Sequence, residues 1–383
     1  MYSSQELEHL LLLWRSAEKG LDSDALQPAR ERTFMGVKAD MMHLINGGRW
    51  LLVTEKTAAV TYYDLDTDTI SGVPLIPAQM ELTNARPILM SIDLDTHSPF
   101  LQFTIAFSLD NGGTRKQSTN SAESRRRVQI WRVSVALDDS QHAVGLTATC
   151  LASFPHRPEI RFVISLSLLG PNIAFTSTTG MIIYAFVVDW TQANVSPLTY
   201  PWRVMQWTTV LSTTSIHLFP SSMVLVASDV NWSLCDFSLT PETINSPDLP
   251  RATLVVGTSS CVSALSFDYT SVFNELPTIV ELIHWTPDVS YAKTCLGYKR
   301  IVVMNHDLTI IRTSPPFTTP QNPTGGFRKY LLSSAPGAKA PLLDEDSGRV
   351  VYITQRSESS EPNTTNFAVV DFAMIFRKQL SPY

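Results

Sequence analysis

Short blocks of hydrophobic residues separated by polar turns run through most of the chain, and the clearest of them predicts a β-hairpin over residues 44–65. A Gly47-Gly48 turn precedes an apolar run at 50–53, and after a polar loop a second apolar run closes on Asp64. Short runs rich in β-branched and aromatic residues, bounded by glycine or polar turns, are typical of strands. The same pattern recurs downstream, which predicts an all-β protein built from one repeated unit.

The residues that close the predicted strands give the spacing of the repeat. Aspartates close strands at positions 64, 189, 236 and 371, and we place Trp131 at the equivalent position of the second unit. Their separations are 67, 58, 47 and 135 residues, the last spanning at least two units. A four-stranded blade takes about 40–50 residues before insertions. The spacing therefore predicts a β-propeller of WD40-like type with about seven blades over residues 33–383.

The segment before the propeller, residues 1–32, is predicted to be a short amphipathic helix followed by a linker. Within a helix over residues 3–19, four apolar side chains recur at three- and four-residue intervals: Leu7, Leu10, Leu11 and Trp14. Such a stripe forms one apolar face, and we expect this face to dock on the following domain rather than on a separate partner. The next apolar run, residues 34–37, is expected to complete the last blade as its outer strand, which removes an exposed sheet edge.

The long uncharged stretch at residues 162–188 is predicted to form strands rather than a membrane span. A span needs about 20 consecutive apolar residues, whereas Gly170-Pro171-Asn172 places a turn signal in the middle of this one. The N-terminus has no basic region before an apolar core and no small-residue cleavage site, so we expect an intracellular protein, cytoplasmic or nuclear, without a membrane partner.

Composition narrows the class of protein further. Hydrophobic residues make up 44% of the 383 residues, charged residues make up 17%, and the formal net charge is −6. A sizeable core can therefore form, and the mild acidity argues against nucleic acid as a partner, because phosphate binding needs clustered Lys and Arg.

The four cysteines are far apart without a C-x-x-C pair, which predicts buried free thiols rather than a zinc site. They are Cys150, Cys235, Cys261 and Cys295.

No motif for phosphate binding, nucleophilic catalysis or zinc-dependent proteolysis occurs in the sequence. The alternating acids at positions 64, 66 and 68 resemble a calcium loop, but the glycine and the bidentate glutamate of such a loop are missing. Two further acidic pairs, 93 with 95 and 344 with 346, would serve a glycosidase only if another carboxylate faced them across a cleft. We therefore predict a non-enzymatic protein with no cofactor, metal or catalytic residue. The alternative is a propeller enzyme or carbohydrate-binding protein with a site in the central channel.

Three stretches resemble the C-terminal propeller-like region of F-box proteins of mushroom-forming fungi. They are residues 44–53 closing on 62–65, the helix at 4–14, and residues 343–351 followed by 369–372. In that family the F-box recruits Skp1 and a cullin, and the propeller is held to bind the protein that is ubiquitinated. The resemblance implies a protein-interaction propeller that is the substrate-recognition part of a ubiquitin ligase adaptor. An F-box motif is not found in this sequence, so Skp1 is an expected partner only if an F-box lies upstream of Met1.

Overall fold

The computed structural model of the protein describes the following ranges. These are residues 4–22, 28–67, 70–79, 89–110, 126–139, 142–156, 160, 163–179, 182–195, 200, 202–208, 214–228, 232–238, 252–257, 261–267, 278–284, 294–296, 300–304, 307–312, 328–331, 339–356 and 364–373. The chain divides into two compact units. Unit one is Met1–Val53, Tyr62–Gly72 and Pro247–Tyr383, and unit two is Thr54–Thr61 and Val73–Ser246.

Across the described residues the strands form seven antiparallel sheets. The first sheet contains β2 Met41–Leu44, β3 Trp50–Thr54, β4 Val60–Asp64 and β5 Gly72–Ile76. The second contains β6 Leu89–Leu94, β7 Gln102–Asp110, β8 Arg126–Leu137 and β9 Ala143–Pro155. The third contains β10 Val163–Leu169, β11 Asn172–Thr179, β12 Ile182–Asp189 and β13 Trp202–Thr208. The fourth contains β14 Thr214–Phe219, β15 Met223–Ser228 and β16 Trp232–Asp236.

The remaining three sheets lie in the C-terminal part of the chain. The fifth contains β17 Ala252–Gly257, β18 Cys261–Phe267 and β19 Thr278–His284. The sixth contains β20 Thr294–Leu296, β21 Arg300–Met304, β22 Asp307–Arg312 and β23 Arg328–Leu331. The seventh has the order β1, β26, β25, β24, with β1 Arg30–Lys38, β24 Lys339–Asp344, β25 Arg349–Arg356 and β26 Thr364–Asp371. The prediction of a WD40-like β-propeller with about seven blades is confirmed.

Strand β3 and residues 367–370 of β26 are buried on both faces, which explains their uninterrupted apolar sequence. Every residue of β3 is buried, and the four residues 367–370 of β26 are completely excluded from solvent. A continuous apolar run of four to eight residues is typical of such a strand. By contrast, the edge strand β5 carries Pro74 and exposed Val73. Proline is tolerated there because an edge strand leaves part of its N–H groups outside the ladder.

The stretch at residues 162–188 confirms the prediction of strands, because β10, β11 and β12 account for its described part. Ile173 and Phe175 of β11 are fully buried, and Trp190 begins the short helix α2 Trp190–Val195. Neither helix in the described residues has the length and apolar character needed to cross a membrane.

The N-terminal strand β1 completes the seventh sheet, as predicted for residues 34–37. It pairs antiparallel with β26, with Arg30 opposite Asp371 and Phe34 opposite Phe367. The strand begins at Arg30, inside the segment expected to be a linker. Its charged residues made its first part resemble a linker in the sequence, although one of them, Arg32, is paired with Asp371 in the structure. The boundary of the propeller domain at residue 33 stays a prediction.

The helix predicted at residues 3–19 is α1 Ser4–Leu21, and the described residues that dock lie C-terminal to the predicted apolar stripe. Ala17 and Leu21 are buried, while Leu11 is 49% exposed and Trp14 is 37% exposed. A Cβ atom placed on Gly20 would lie 1.8 Å from the carbonyl oxygen of Phe372. Docking is thus confirmed, but small residues make the contact because the helix backbone approaches the last sheet closely. The side chains of Leu7 and Leu10 lie outside the described residues.

One backbone hydrogen bond recurs at the end of five sheets and defines the repeat. The residue after the strand-closing position donates its N–H to the residue that precedes the second strand. The five pairs are Leu65 to Arg49, Val135 to Leu101, Trp190 to Pro171, Phe237 to Ser222 and Phe372 to Gly348, at 2.8–3.1 Å. The closing positions are therefore Asp64, Ser134, Asp189, Asp236 and Asp371. The assignment of Trp131 in the second sheet is wrong, because β8 continues beyond it to Leu137.

Candidate functional site

Four charged residues of unit one form a buried cluster, the arginine–aspartate network, defined as Arg32, Asp66, Arg349 and Asp371. Arg349, the first residue of β25, donates from Nε to the carboxylate of Asp371 and from Nη1 to Oδ1 of Asp66 at 3.1 Å. Arg32 of β1 donates from Nη2 to Oδ2 of Asp371 at 3.0 Å. Arg349 also donates to the carbonyl oxygen of Gly48. The network therefore links the first hairpin, the N-terminal strand and the last sheet.

Burial and the neighbouring charges shift the pKa of both arginines in the network. Burial by itself would lower the pKa of Arg349, but the carboxylates of Asp371 and Asp66 outweigh this effect and raise the pKa above its usual value. Burial lowers the pKa of Arg32, and attraction to Asp371 offsets only part of the loss. Because Asp371 is 1% exposed and contacts both guanidinium groups, its carboxylate is engaged in ion pairs within the fold.

Asp344 ties the turn of the first hairpin to the turn of the last one. Its Oδ1 accepts the N–H of Gly47 at 2.9 Å, and its Oδ2 accepts the N–H of Ser347 at 2.8 Å. Burial raises the pKa of Asp344, and these hydrogen bonds offset part of that rise. Asp346, its predicted companion, is exposed. The pair at 344 and 346 therefore does not form two carboxylates that face one another.

The acids that resembled a calcium loop are paired with arginines. The guanidinium of Arg49 contacts both carboxylate oxygens of Asp64, at 2.7–3.2 Å, and it lies 4.4 Å from the ring centroid of Trp50. Asp66 contacts Arg349, and Asp68 lies outside the described residues. Within the described residues no three His, Cys, Asp or Glu side chains are grouped as metal ligands would be.

The acidic pair at positions 93 and 95 stabilises turns. Oδ2 of Asp93 accepts the N–H of Gly170 at 2.7 Å. Burial raises the pKa of Asp93, that hydrogen bond lowers it, and the nearby charge of Asp95 raises it further. Asp95 accepts the N–H groups of His97 and Ser98 at 3.0 and 3.2 Å, which closes the turn between β6 and β7.

Unit two contains a buried serine–histidine pair that the sequence did not reveal. Ser108 Oγ and His156 Nε2 lie 3.0 Å apart, and the imidazole ring packs edge-on against Phe175 with centroids 5.2 Å apart. Ser108 is 6% exposed and His156 is 7% exposed, so the hydrogen bond between them lies in the protein core. Forty-eight residues separate the two positions in sequence, and no local pattern connects them.

Two large apolar side chains are exposed at one end of the second sheet, and we call these two positions the Phe100–Val144 patch. Phe100 is 48% exposed and Val144 is 60% exposed. The N–H of Val135 donates to the carbonyl oxygen of Leu101 at 3.1 Å, and Ala136 lies opposite Gly145 in the β8–β9 ladder. The turn that carries Phe100 and the hairpin that precedes Val144 therefore lie at the same end of the sheet.

The loops beside the patch are held by local hydrogen bonds. Asp138 and His142 bracket the β8–β9 hairpin, where the N–H of Asp138 donates to the carbonyl oxygen of His142 at 2.9 Å. The N–H of His142 donates to Oδ1 of Asp138 at 2.8 Å. On the other side, Asp95 closes the β6–β7 turn. Preorganised loops of this kind lose little conformational entropy when they bind.

The cysteines depart in part from the prediction of buried thiols. Cys150 is exposed on the outer strand β9, whereas Cys235 is half-buried in β16, and both are free. Burial of part of the thiol raises the pKa of each. The side chains of Cys261 and Cys295 lie outside the described residues.

Comparison with solved structures returns β-propellers at low sequence identity. The β-propeller domain of Cps50 (Swd1) from Myceliophteria thermophila has a TM-score of 0.39 and 11% identity, over 88% of this chain and 99% of that chain. U3-55K has a TM-score of 0.44 and 9% identity, over 90% of this chain and 100% of that chain. No protein-family model matches the chain, and no curated protein matches it. The assignment of the fold rests on the strand order and pairing within the sheets.

Proposed function

We propose that this chain is a non-enzymatic β-propeller that binds a protein partner through the Phe100–Val144 patch. The observation that carries the proposal is the exposure of these two side chains on internally hydrogen-bonded turns at the same end of the second sheet. Exposed apolar residues on rigid loops are typical of interaction surfaces, and function in repeat folds concentrates on the loops. The partner is expected to contribute apolar side chains, because the patch itself has no charged residue at its two defining positions.

The arrangement of the acids supports a binding function over catalysis. Among the described residues, Asp64, Asp66 and Asp371 are held by arginines, while Asp93 and Asp344 accept backbone N–H groups. A glycosidase needs two carboxylates that face one bond across a cleft. These five acids are engaged instead in turns and ion pairs.

Two tryptophans, Trp50 and Trp202, are packed against other rings and do not form a sugar-binding platform. A sugar-binding platform presents an aromatic face to solvent, whereas the ring of Trp202 stacks on Phe186 at 5.0 Å between centroids and 6° between planes. Trp50 packs edge-on against Tyr62 at 5.5 Å. Both of these rings contribute to the packing of the protein, and no specific arrangement in the described residues favours the second function.

The test is a comparison of partners captured by three forms of the protein. Phe100→Ser combined with Val144→Ser removes the patch, and Val195→Ser at the end of α2 is the matched control, since Val195 is 83% exposed elsewhere. Quantitative mass spectrometry of proteins captured from cells should show a partner retained by the wild type and by the control. The double variant should lose it, with affinity for the purified partner reduced about 10-fold or more. An unchanged set of partners, with all three forms equally stable to heat, would overturn the proposal.

The finer proposal is that the bound protein is a substrate for ubiquitination. Its support is the resemblance of residues 44–53 and 343–351 to the propeller-like region of the fungal F-box proteins. Cells that lack this protein should accumulate the captured partner, and a version without the patch should fail to restore its turnover. Partner binding without any effect on partner turnover would remove the ligase role and leave the binding function intact. Binding of purified Skp1 is expected only for a chain that carries an F-box.

A further inference from the structure

Helix α1 presents an exposed face opposite the face that docks on the last sheet. Five exposed residues recur at three- and four-residue intervals, which places them on one side of the helix. They are Glu8, Leu11, Leu12, Arg15 and Lys19, and the exposed Trp14 lies outside this face. The docked side consists of Ser16, Ala17, Gly20 and Leu21, all buried. Because the docked residues fix the helix against Gly348 and Phe372, the exposed face is held in a defined orientation.

The exposed face has an internal symmetry in its charges. Leu11 and Leu12 lie at its centre and are 49% and 44% exposed. Glu8 precedes the first leucine by three residues, and Arg15 follows the second by three residues. A two-fold axis between Leu11 and Leu12 would therefore carry the position of Glu8 onto that of Arg15.

We propose that two copies of this chain associate through α1 in an antiparallel arrangement about that axis. In the dimer, Leu11 of one copy packs on Leu12 of the second copy. Glu8 of each copy pairs with Arg15 of the other, which gives two equivalent ion pairs. A two-fold interface of this kind must be complementary to itself. A parallel arrangement would place Glu8 against Glu8 and Arg15 against Arg15, and like charges on facing helices are destabilising.

The expected dimer is weak and depends on concentration. Four leucines and two ion pairs make a small contact, in the class of interfaces that bury less than about 1,200 Å². Its charge pairs are exposed, so association should weaken as salt increases. The proposal goes beyond partner binding by the Phe100–Val144 patch and does not depend on it, because α1 belongs to unit one and the patch to unit two.

Sedimentation equilibrium of the full chain tests the dimer directly. The wild type should show a concentration-dependent dimer, and Leu11→Ser combined with Leu12→Ser should be monomeric over the same range. Glu8→Arg and Arg15→Glu should each raise the dissociation constant about 10-fold or more, because each change creates two like-charge contacts. Lys19→Glu is the matched control, since it makes the same change of charge outside the pairing positions, and it should dimerise as the wild type does.

The two-fold symmetry of the proposed dimer allows a stricter test. A mixture of the Glu8→Arg and Arg15→Glu variants should form a heterodimer, because every facing pair is then opposite in charge. The variant that carries both changes in one chain should dimerise with itself again. Circular dichroism and thermal unfolding should show that all variants are folded. A wild type that stays monomeric, a dimer that tolerates the loss of both leucines, or charge reversals that the mixture does not rescue would each overturn the proposal.

Discussion

The side chains of Arg349 and Asp371 meet across the ladder between β25 and β26, where the two residues lie directly opposite one another. Arg349 is 6% exposed and Asp371 is 1% exposed. The same carboxylate also binds Arg32 from the N-terminal strand. A buried charge that loses its partner costs far more than an exposed one, so this pair should be among the most sensitive positions in the chain.

Replacement of Arg349 by Met should lower the free energy of unfolding by about 3–5 kcal/mol, because it leaves the buried carboxylate of Asp371 with less compensation. The matched control is Arg49→Met, which breaks the more exposed pair with Asp64 and should cost about 1 kcal/mol or less. Denaturant unfolding of both variants checks the prediction. Equal losses of unfolding free energy would show that burial does not determine how much these ion pairs stabilise the protein.

Replacement of Gly20 by Ala should release α1 from the last sheet. In a solvent-exposed helix this change stabilises by about 1 kcal/mol, but here the added Cβ would lie 1.8 Å from a backbone oxygen of Phe372. Limited proteolysis and hydrogen exchange should therefore find α1 less protected than in the wild type. Lys19→Ala, at an exposed position of the same helix, should leave protection unchanged. Greater protection of α1 in the Gly20 variant would contradict the close approach.

Stability should fall as the pH decreases from about 6.5 to 4, in part because of His43 in β2. Burial lowers the pKa of His43 from 6.5 to about 4. Between these values the unfolded chain binds a proton that the folded chain does not, so the free energy of unfolding rises with pH in this window. Below about pH 4 the contribution is lost, and at most it amounts to about 3 kcal/mol.

The variant His43→Gln should flatten that part of the pH profile, whereas His97→Gln in the exposed β6–β7 turn should follow the wild type. Denaturant unfolding at several pH values between 4 and 7 measures the slope. A His43→Gln protein with the full wild-type slope would assign the pH dependence to other groups.

Removal of residues 1–38 should leave a protein that aggregates. The deletion removes β1, which covers the edge of β26, and it removes Arg32 from Asp371. An uncovered edge strand with fully buried apolar residues is a template for association. Removal of residues 1–28 is the control, because it takes away α1 and keeps β1. Size-exclusion chromatography should recover the shorter deletion as a folded species and the longer one as aggregate or not at all.

Much of the fold could be predicted from local pattern. The strands β3, β12 and β26 are short apolar runs between turn residues, and the aspartates at 64, 189, 236 and 371 do end strands. Ser134 was missed because its second sheet has an extended β8, and a hydroxyl at the closing position gives no distinctive signal. β1 was placed but predicted too short, since the alternating polar residues of an edge strand look like a linker.

The candidate site was far less accessible to prediction. The partners in the arginine–aspartate network are separated by 22 to 339 residues, and Ser108 and His156 by 48. Phe100 and Val144 lie at the same end of the second sheet only because β7, β8 and β9 are in register. Periodicity reports whether a residue is buried, but it carries no information about which distant residue lies opposite.

The sequence by itself determined the fold class, the approximate number of blades and the strand that completes the last sheet, because burial on both faces of a strand leaves a continuous apolar run. Only the tertiary structure decided which face of α1 docks, which arginine neutralises which aspartate, and which apolar side chains stay exposed. These depend on how closely two backbones approach and on the register of neighbouring strands. Both are properties of the assembled protein rather than of any local segment.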